Sequence, residues 1–214
     1  MIKSLPSTFK SWTPNNFDNF VTYYDKLSND VYYINKSTCL AWNEQTGTFT
    51  SFYNYEEVPY MMNVGQHSLM WKDGVWAARE ADNYSSFFGH IKDYSMTLVC
   101  DGITDKGSAF PADKVFNNVE YRADIYNLDG TNINYATSVF NKKQAWNGYQ
   151  DSQEVLLDGE RKFNTWRIQL PRHHGTRDRI RNPFCYIKLK QDQLINTQTD
   201  RMILHDLAVY FDMR

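Results

Sequence analysis

The sequence lacks the features that mark membrane, secreted or disulfide-stabilised proteins. No apolar run approaches the roughly 20 residues that span a bilayer, and residues 1–10 lack the apolar core of a signal peptide. Only three cysteines are present, Cys39, Cys100 and Cys185, each far from the others in an apolar or aromatic stretch. This spacing argues against a disulfide framework or a zinc site. We therefore expect no membrane association, no secretion and a reducing compartment.

Signals for catalysis are also missing. No Gly-x-Ser-x-Gly motif is present, and the glycines are scattered in turns rather than gathered into a phosphate-binding loop. Glu56 and Glu57 could form a carboxylate pair, but adjacent residues on a strand point to opposite faces. A solvated loop before Pro59 is the better interpretation. The sequence predicts no enzyme and no catalytic residue.

The histidines give the best candidate for a metal site. His173 and His174 are adjacent, and His205 precedes Asp206. Metal sites need such side chains to converge with fixed geometry, and this spacing fits no known metal pattern. We interpret the set as a loop pair and a separate strand histidine, so we predict no metal and no cofactor.

The composition favours β-structure. Aromatic residues make up 16% of the 214 residues, and aromatic side chains suit a pleated, half-buried surface. Asn, Asp, Thr and Ser are abundant, and several of these supply turns between strands. The predicted fold class is all-β, with a propeller-blade-like antiparallel sheet followed by a β-sandwich.

Turn signals and strand patterns divide the chain into three regions. Residues 1–30 form a leading segment, in which residues 16–24 suggest a short helix. Residues 30–112 form the propeller-blade-like region. Within it, the Asp73-Gly74 turn lies between two apolar runs and predicts a hairpin. Residues 30–80 are expected to form one antiparallel sheet of four or five strands.

Longer alternating strands follow in residues 113–214. Apolar and polar residues alternate through 119–126, 163–170, 184–189 and 202–213. Turn residues separate these runs at spacings typical of a β-sandwich. We predict a sandwich domain of about six to eight strands.

Aromatic residues in the blade-like region require a cover. One blade alone leaves sheet edges and an aromatic face exposed. Trp71 and Trp76 flank the predicted hairpin turn and are candidate interface residues. Either the second half of the chain or a neighbouring chain is expected to cover them.

Charge is strongly segregated along the chain. Residues 161–190 hold nine basic residues and one acidic residue, a net charge of +8, whereas the remainder of the chain carries −10. Arg177, Arg179 and Arg181 alternate, and Arg172 precedes them. Guanidinium groups bind carboxylates or phosphates bidentately. Three interpretations stay open here: a subunit interface, a solvated loop with local acidic partners, and contact with a DNA backbone.

Six sequence runs carry a resemblance to a known family. They are residues 30–35, 39–44, 49–55, 146–150, 179–189 and 205–210. They resemble the tail nozzle, or muzzle, "stabilisation" proteins of crAss-like bacteriophages, from about residue 30 onwards. Members of that family are much longer, so the resemblance implies correspondence to a C-terminal portion.

The resemblance implies a virion structural protein of the phage tail, located around the DNA exit channel and assembled in the host cytoplasm. Its partners would be other tail proteins and copies of itself in a ring, with a packaged DNA backbone as a further contact. The alternative is a carbohydrate-binding or host-adhesion module, in which Trp71, Trp76 and Trp146, with nearby Asn147, would hold a sugar.

The interpretation of the histidines can be tested directly. We expect elemental analysis of the purified chain to find no stoichiometric zinc or other transition metal, because His173, His174 and His205 do not share a site. Stoichiometric metal that is lost when His205 is replaced by Ala would contradict this interpretation.

Overall fold

The all-β prediction is confirmed. The computed structural model describes residues 21–35, 38–53, 60–65, 67–72, 75–78, 85–87, 90–101, 112–127, 129–133, 140–194 and 200–213. These residues form eighteen strands and connecting turns, without a helix. Over the same ranges, no helix has the length and hydropathy that a membrane crossing requires. The chain divides into two compact units, residues 1–81 and 82–214.

The described residues of the first unit form seven strands in two antiparallel sheets. The strands are β1 (Val21–Asp25), β2 (Asp30–Asn35), β3 (Thr38–Asn43), β4 (Thr48–Tyr53), β5 (Tyr60–Val64), β6 (His67–Lys72) and β7 (Val75–Ala78). One sheet has the sequential order β1-β2-β3-β4 and the other the order β5-β6-β7. Four sequential antiparallel strands are the content of one propeller blade.

Aromatic packing and a polar network hold the first unit together. Tyr32 is fully buried and packs edge-on against Tyr53, with ring centroids 5.1 Å apart. The buried Asp25 carboxylate accepts hydrogen bonds from the Tyr32 and Ser68 hydroxyls, at 3.2 and 2.8 Å. Because Ser68 lies on β6, this carboxylate joins the two sheets.

Two expectations for this unit are wrong. The suggested helix over residues 16–24 is contradicted at 21–24, which belong to β1; residues 16–20 lie outside the described part. Tyr23 lies opposite Tyr32 in the register, and β-favouring Val, Thr and Tyr residues pair with β2 instead of coiling. Residues 30–80 also do not form one sheet, because β1 completes the first sheet and β5 to β7 form another.

The second unit contains eleven strands in the described ranges. They are β8 (Ser86–Phe87), β9 (His90–Ile91), β10 (Tyr94–Cys100), β11 (Lys114–Tyr126), β12 (Lys142–Trp146), β13 (Val155–Leu156), β14 (Gly159–Lys162), β15 (Thr165–Gln169), β16 (Arg181–Asn182), β17 (Cys185–Gln191) and β18 (Arg201–Met213). One sheet has the order β10-β17-β12-β13. A second has the order β14-β15-β11-β16, with β18 also paired to β11, and β8 and β9 form a ribbon.

The two larger sheets pack face to face, as a sandwich requires. Tyr121 of β11 and Trp166 of β15 stack with centroids 6.5 Å apart, and Leu189 of β17 joins the same buried cluster. A second cluster brings Phe116 of β11 together with Ile187 of β17. Burying one large apolar side chain stabilises a fold by about 1.5–3 kcal/mol, so these clusters hold the sheets together.

The domain boundary that the sequence predicts between residues 112 and 113 stays a prediction. In the structure, β10 lies before that boundary and pairs along its whole length with β17. Both strands belong to the compact unit that starts at Asp82. The leading segment of residues 1–30 likewise contributes β1 to the first sheet.

A buried lysine joins the two sheets of the sandwich. Lys143 of β12 is only 5% exposed, and its Nζ donates to the Gln169 carbonyl of β15 at 2.9 Å. The same ammonium group pairs with the Asp158 carboxylate. A buried ammonium group without such partners would be strongly destabilising, so this arrangement fixes β12 against β15 and β14.

A row of lysines and carboxylates covers the opposite side of β12 and β17. Lys142 and Lys190 lie directly opposite each other in the register, an unfavourable like-charge pairing. Asp192 offsets it, with Oδ2 2.7 and 3.7 Å from the two ammonium nitrogens. A hydrogen bond from Lys142 lowers the pKa of Asp192, and a hydrogen bond from Lys188 lowers the pKa of Glu154.

The buried lysine yields a stability prediction. We expect Lys143→Ala to lower the free energy of unfolding by about 2–3 kcal/mol, because the Gln169 carbonyl loses its donor and the buried lysine side chain leaves a void. Urea unfolding of both proteins measures the difference. Lys162→Ala, at an exposed position, is the control and should change it by less than about 0.5 kcal/mol. Equal effects of the two substitutions would contradict the role of Lys143.

The lysine–carboxylate row yields a pH prediction. A carboxylate whose pKa is lowered by folding stabilises the fold above its unfolded pKa of about 4 and loses that contribution as the pH falls through the folded value. We therefore expect the free energy of unfolding to fall as the pH is lowered from about 5 to about 2. The drop should be smaller in Glu154→Gln. An equal pH dependence in that variant would show that Glu154 does not contribute.

Candidate functional site

The arginine-bearing segment forms an ordered loop between β15 and β16. The His173 amide donates to the Asp178 carbonyl at 2.9 Å, and the Arg177 amide donates to the His173 carbonyl at 3.0 Å. His174 is fixed to another part of the unit, since its amide donates to the Asp151 carbonyl at 3.0 Å. Arg177 has a φ of 63°, a left-handed backbone conformation that residues other than Gly rarely adopt. Residues 170–180, here the basic loop, therefore have a defined shape.

The structure places the predicted arginines at the surface of this loop. Arg172, Arg177 and Arg179 lie within it and Arg181 begins β16, and all four are exposed. Arg179 donates to the Asn117 side-chain oxygen, and Arg172 donates to the Arg177 carbonyl at 3.3 Å. The four do not form one extended row, because the turn at 174–176 and the conformation of Arg177 bend the loop.

The basic charge outside the loop is largely neutralised within the chain. Lys188 pairs with Glu154 at 2.7 Å, Lys190 with Asp93 at 2.9 Å, and Arg167 with Glu120 at 3.3 Å. By contrast, no carboxylate in the described part of the chain lies within 4 Å of the guanidinium groups of the four predicted arginines. The four arginines in and beside the basic loop therefore differ from these three paired cations.

A β-bulge in β11 connects the basic loop to β18. Asn117 is the extra residue, since Phe116 pairs with Phe211 and Asn118 pairs with Tyr210. The Asn117 amide nitrogen donates to the Asp212 carboxylate at 2.9 Å, while its oxygen accepts from Arg179. A bulge redirects a side chain that a regular strand would place elsewhere, and here it positions one guanidinium group.

A cleft of about 760 Å³ lies next to the basic loop. Arg172 and Arg179 line it on the loop side, and Asp158 and Glu160 line it near β14. Asn118, which is 9% exposed, also lines the cleft, and its buried amide nitrogen has no hydrogen-bond partner in the described part of the chain. The cleft is thus lined by two charged donors, Arg172 and Arg179, by one neutral donor, Asn118, and by two carboxylates.

The predicted tryptophans lie in the other compact unit. Trp71 of β6 is half-buried and packs edge-on against Tyr60 with centroids 5.5 Å apart, and Tyr60 is 62% exposed. Trp76 lies opposite Trp71 in the register of β6 and β7; its side chain is outside the described part. Their role as interface residues stays a prediction.

Of the residues considered for chemistry, Glu56 and Glu57 lie outside the described part of the chain, whereas the following cysteines and histidines are described. Burial raises the pKa of the Cys100 thiol to about 11 and that of Cys185 to about 12, so neither forms a thiolate readily near neutrality. The Nδ1 atom of His174 lies 2.8 Å from the Asp151 carbonyl oxygen. His205 pairs with Asp124 at 2.7 Å on β18 and β11.

The metal and sugar interpretations gain no support from the geometry. Across the described ranges, no group of three His, Cys, Asp or Glu side chains could hold a metal ion. Trp146 stacks on Tyr186, with centroids 5.3 Å apart. The Asn147 side chain accepts from the amides of Tyr149 and Gln150 in the adjacent turn, at 2.8 and 2.9 Å.

Sequence reasoning missed the floor and the acidic wall of the cleft. Asn117 and Asn118 interrupt the alternating apolar pattern of β11, which is the available signal for a bulge. Asp158 and Glu160 have no comparable signal, because the hairpin of β14 and β15 brings them to the cleft and the spacing of residues does not reveal this.

Two family models match this chain. A model described as the Crassvirus muzzle protein matches residues 2–74. A second, described as the Crassvirus muzzle protein C-terminal domain, matches residues 82–173. The gap between the matches coincides with the division of the structure between Ala81 and Asp82.

A curated relative matches most of the chain. The chain is 36% identical over 209 residues to the muzzle protein of Bacteroides phage crAss001. That alignment covers 94% of this chain and 14% of the relative, so the chain spans about one seventh of the length of that protein. Together with the two domain matches, this similarity confirms the resemblance, and the chain belongs to the crassvirus muzzle protein family.

Proposed function

We propose that this chain is a structural component of the crassvirus virion and packs against neighbouring chains in the tail. In this proposal it is part of the muzzle, or nozzle, around the DNA exit channel and assembles in the host cytoplasm. Its partners are other tail proteins and copies of itself in a ring. The basic loop provides the contact with a neighbouring chain.

The observation that carries the proposal is a set of exposed arginines on an ordered loop that have no acidic partner among the described residues. An isolated surface ion pair contributes only about 0–1 kcal/mol, so such a set has little value for folding. Several guanidinium groups desolvated together against carboxylates contribute more to an interface. The −10 carried outside residues 161–190 offers acidic surface on a neighbouring copy for head-to-tail contacts.

The function requires no chemistry from the chain. The Cys100 and Cys185 thiols have raised pKa values, and the family to which the chain belongs is named for a muzzle protein. We infer a role in assembly rather than catalysis. The carbohydrate-binding alternative is less favoured, because Trp146 and Asn147 are engaged in contacts within the chain.

The proposal predicts separate effects on assembly and on folding. We expect the triple substitution of Arg177, Arg179 and Arg181 by Ser to leave the circular dichroism spectrum unchanged. The same variant should incorporate into particles at least about tenfold less efficiently, because the loop can no longer pair with a neighbour's carboxylates.

A matched control replaces three exposed cations outside the loop, Arg122, Lys162 and Arg201, by Ser. This control removes the same formal charge and should incorporate normally. If the loop variant assembles as the natural chain does, the interface proposal is wrong. If it unfolds, the arginines serve their own unit and not the assembly.

A further inference from the structure

We propose that the cleft beside the basic loop binds a carboxylate side chain on an extended segment of a neighbouring virion protein. This inference rests on the proposed function and adds the chemistry of the partner. The cleft volume of about 760 Å³ lies within the range of about 300–1,000 Å³ typical of ligand pockets. It could therefore hold a few residues of an extended chain.

The basic side of the cleft suits a carboxylate. Within the described part of the chain, Arg172 donates to the Arg177 carbonyl and Arg179 donates to the Asn117 side-chain oxygen. A guanidinium group has five N–H donors in a planar fork, so both retain donors for a ligand. A carboxylate matches that fork bidentately.

At the floor of the cleft, the amide nitrogen of Asn118 lacks a hydrogen-bond acceptor among the described residues. Asn118 lines the cleft, is about nine-tenths buried, and its amide nitrogen has no partner. Buried polar groups are normally hydrogen-bonded, and an unsatisfied one requires an explanation. A peptide carbonyl or carboxylate oxygen at the floor would provide the missing acceptor after a small rotation of the amide.

The opposite side of the cleft disfavours nucleic acid. Asp158 pairs with Lys143, but its side chain is still 87% exposed, and Glu160 is exposed on β14. Arg167 lies opposite Glu160 in the register, but its guanidinium group already pairs with Glu120 at 3.3 Å. Successive phosphates of a DNA backbone would meet these carboxylates and be repelled. A peptide with one acidic side chain towards the loop avoids that repulsion.

The experiment uses three fluorescein-labelled probes and the folded 214-residue chain. They are a Gly-Ser decapeptide with two glutamates, the same peptide with two glutamines, and a short DNA duplex. Fluorescence anisotropy at low salt should show binding of the glutamate peptide and at least about tenfold weaker binding of the glutamine peptide. The DNA duplex should bind more weakly than the glutamate peptide.

Variants locate the binding in the cleft. Arg172→Ser and Arg179→Ser should each weaken binding of the glutamate peptide about fivefold to tenfold, whereas Arg122→Ser, an exposed arginine outside the cleft, should not. Asn118→Leu should also weaken it. Asn118→Ser provides a smaller polar replacement if the Leu variant does not fold by circular dichroism.

Three results would overturn the inference. They are tighter binding of DNA than of the glutamate peptide, equal binding of the two peptides, and affinities unchanged in the cleft variants. These failures are distinguishable from failure of the proposed function. A loop variant that folds but does not incorporate into particles would still support an interface there, with a partner other than an acidic segment in the cleft.

Discussion

The antiparallel pairing of β11 with β18 is the interaction on which the rest of the second unit depends. Both strands have thirteen residues, and they pair from one end to the other. On its other edge β11 pairs with β15 and β16. Its inward side chains enter both buried clusters of the sandwich. Loss of this strand would therefore remove the centre of one sheet and one side of the core.

The same strand also connects the fold to the candidate interface. The bulge at Asn117 interrupts the pairing with β18 and directs an amide to both Arg179 and Asp212. The neighbouring Asn118 lines the cleft, and its buried amide nitrogen has no hydrogen-bond partner among the described residues. A feature that weakens a regular ladder thus positions residues of the proposed interface. This is how bulges often function at binding surfaces.

Sequence patterns predicted the strands better than they predicted the sheets. The alternating runs in β2, β15, β17 and β18 were recognisable because one face of each is buried or, in β18, half-buried. The helix suggested over residues 16–24 failed where β2 offers β1 an edge to pair with. Strand β12 could not be recognised from the sequence, because the buried Lys143 breaks the expected alternation of apolar and polar residues. The exposed arginines were predictable from charge alone, whereas the cleft was not, since it depends on a bulge and on pairing between distant strands.

The central claim is that the arginines of the basic loop contact carboxylates of a neighbouring chain. A cryo-electron microscopy reconstruction of assembled particles tests it most directly, at a resolution that shows side chains. The account predicts that the guanidinium groups of Arg172 and Arg179 lie within about 4 Å of carboxylate oxygens from another chain. Guanidinium groups that face open solvent, or that lie against DNA phosphates, would contradict it.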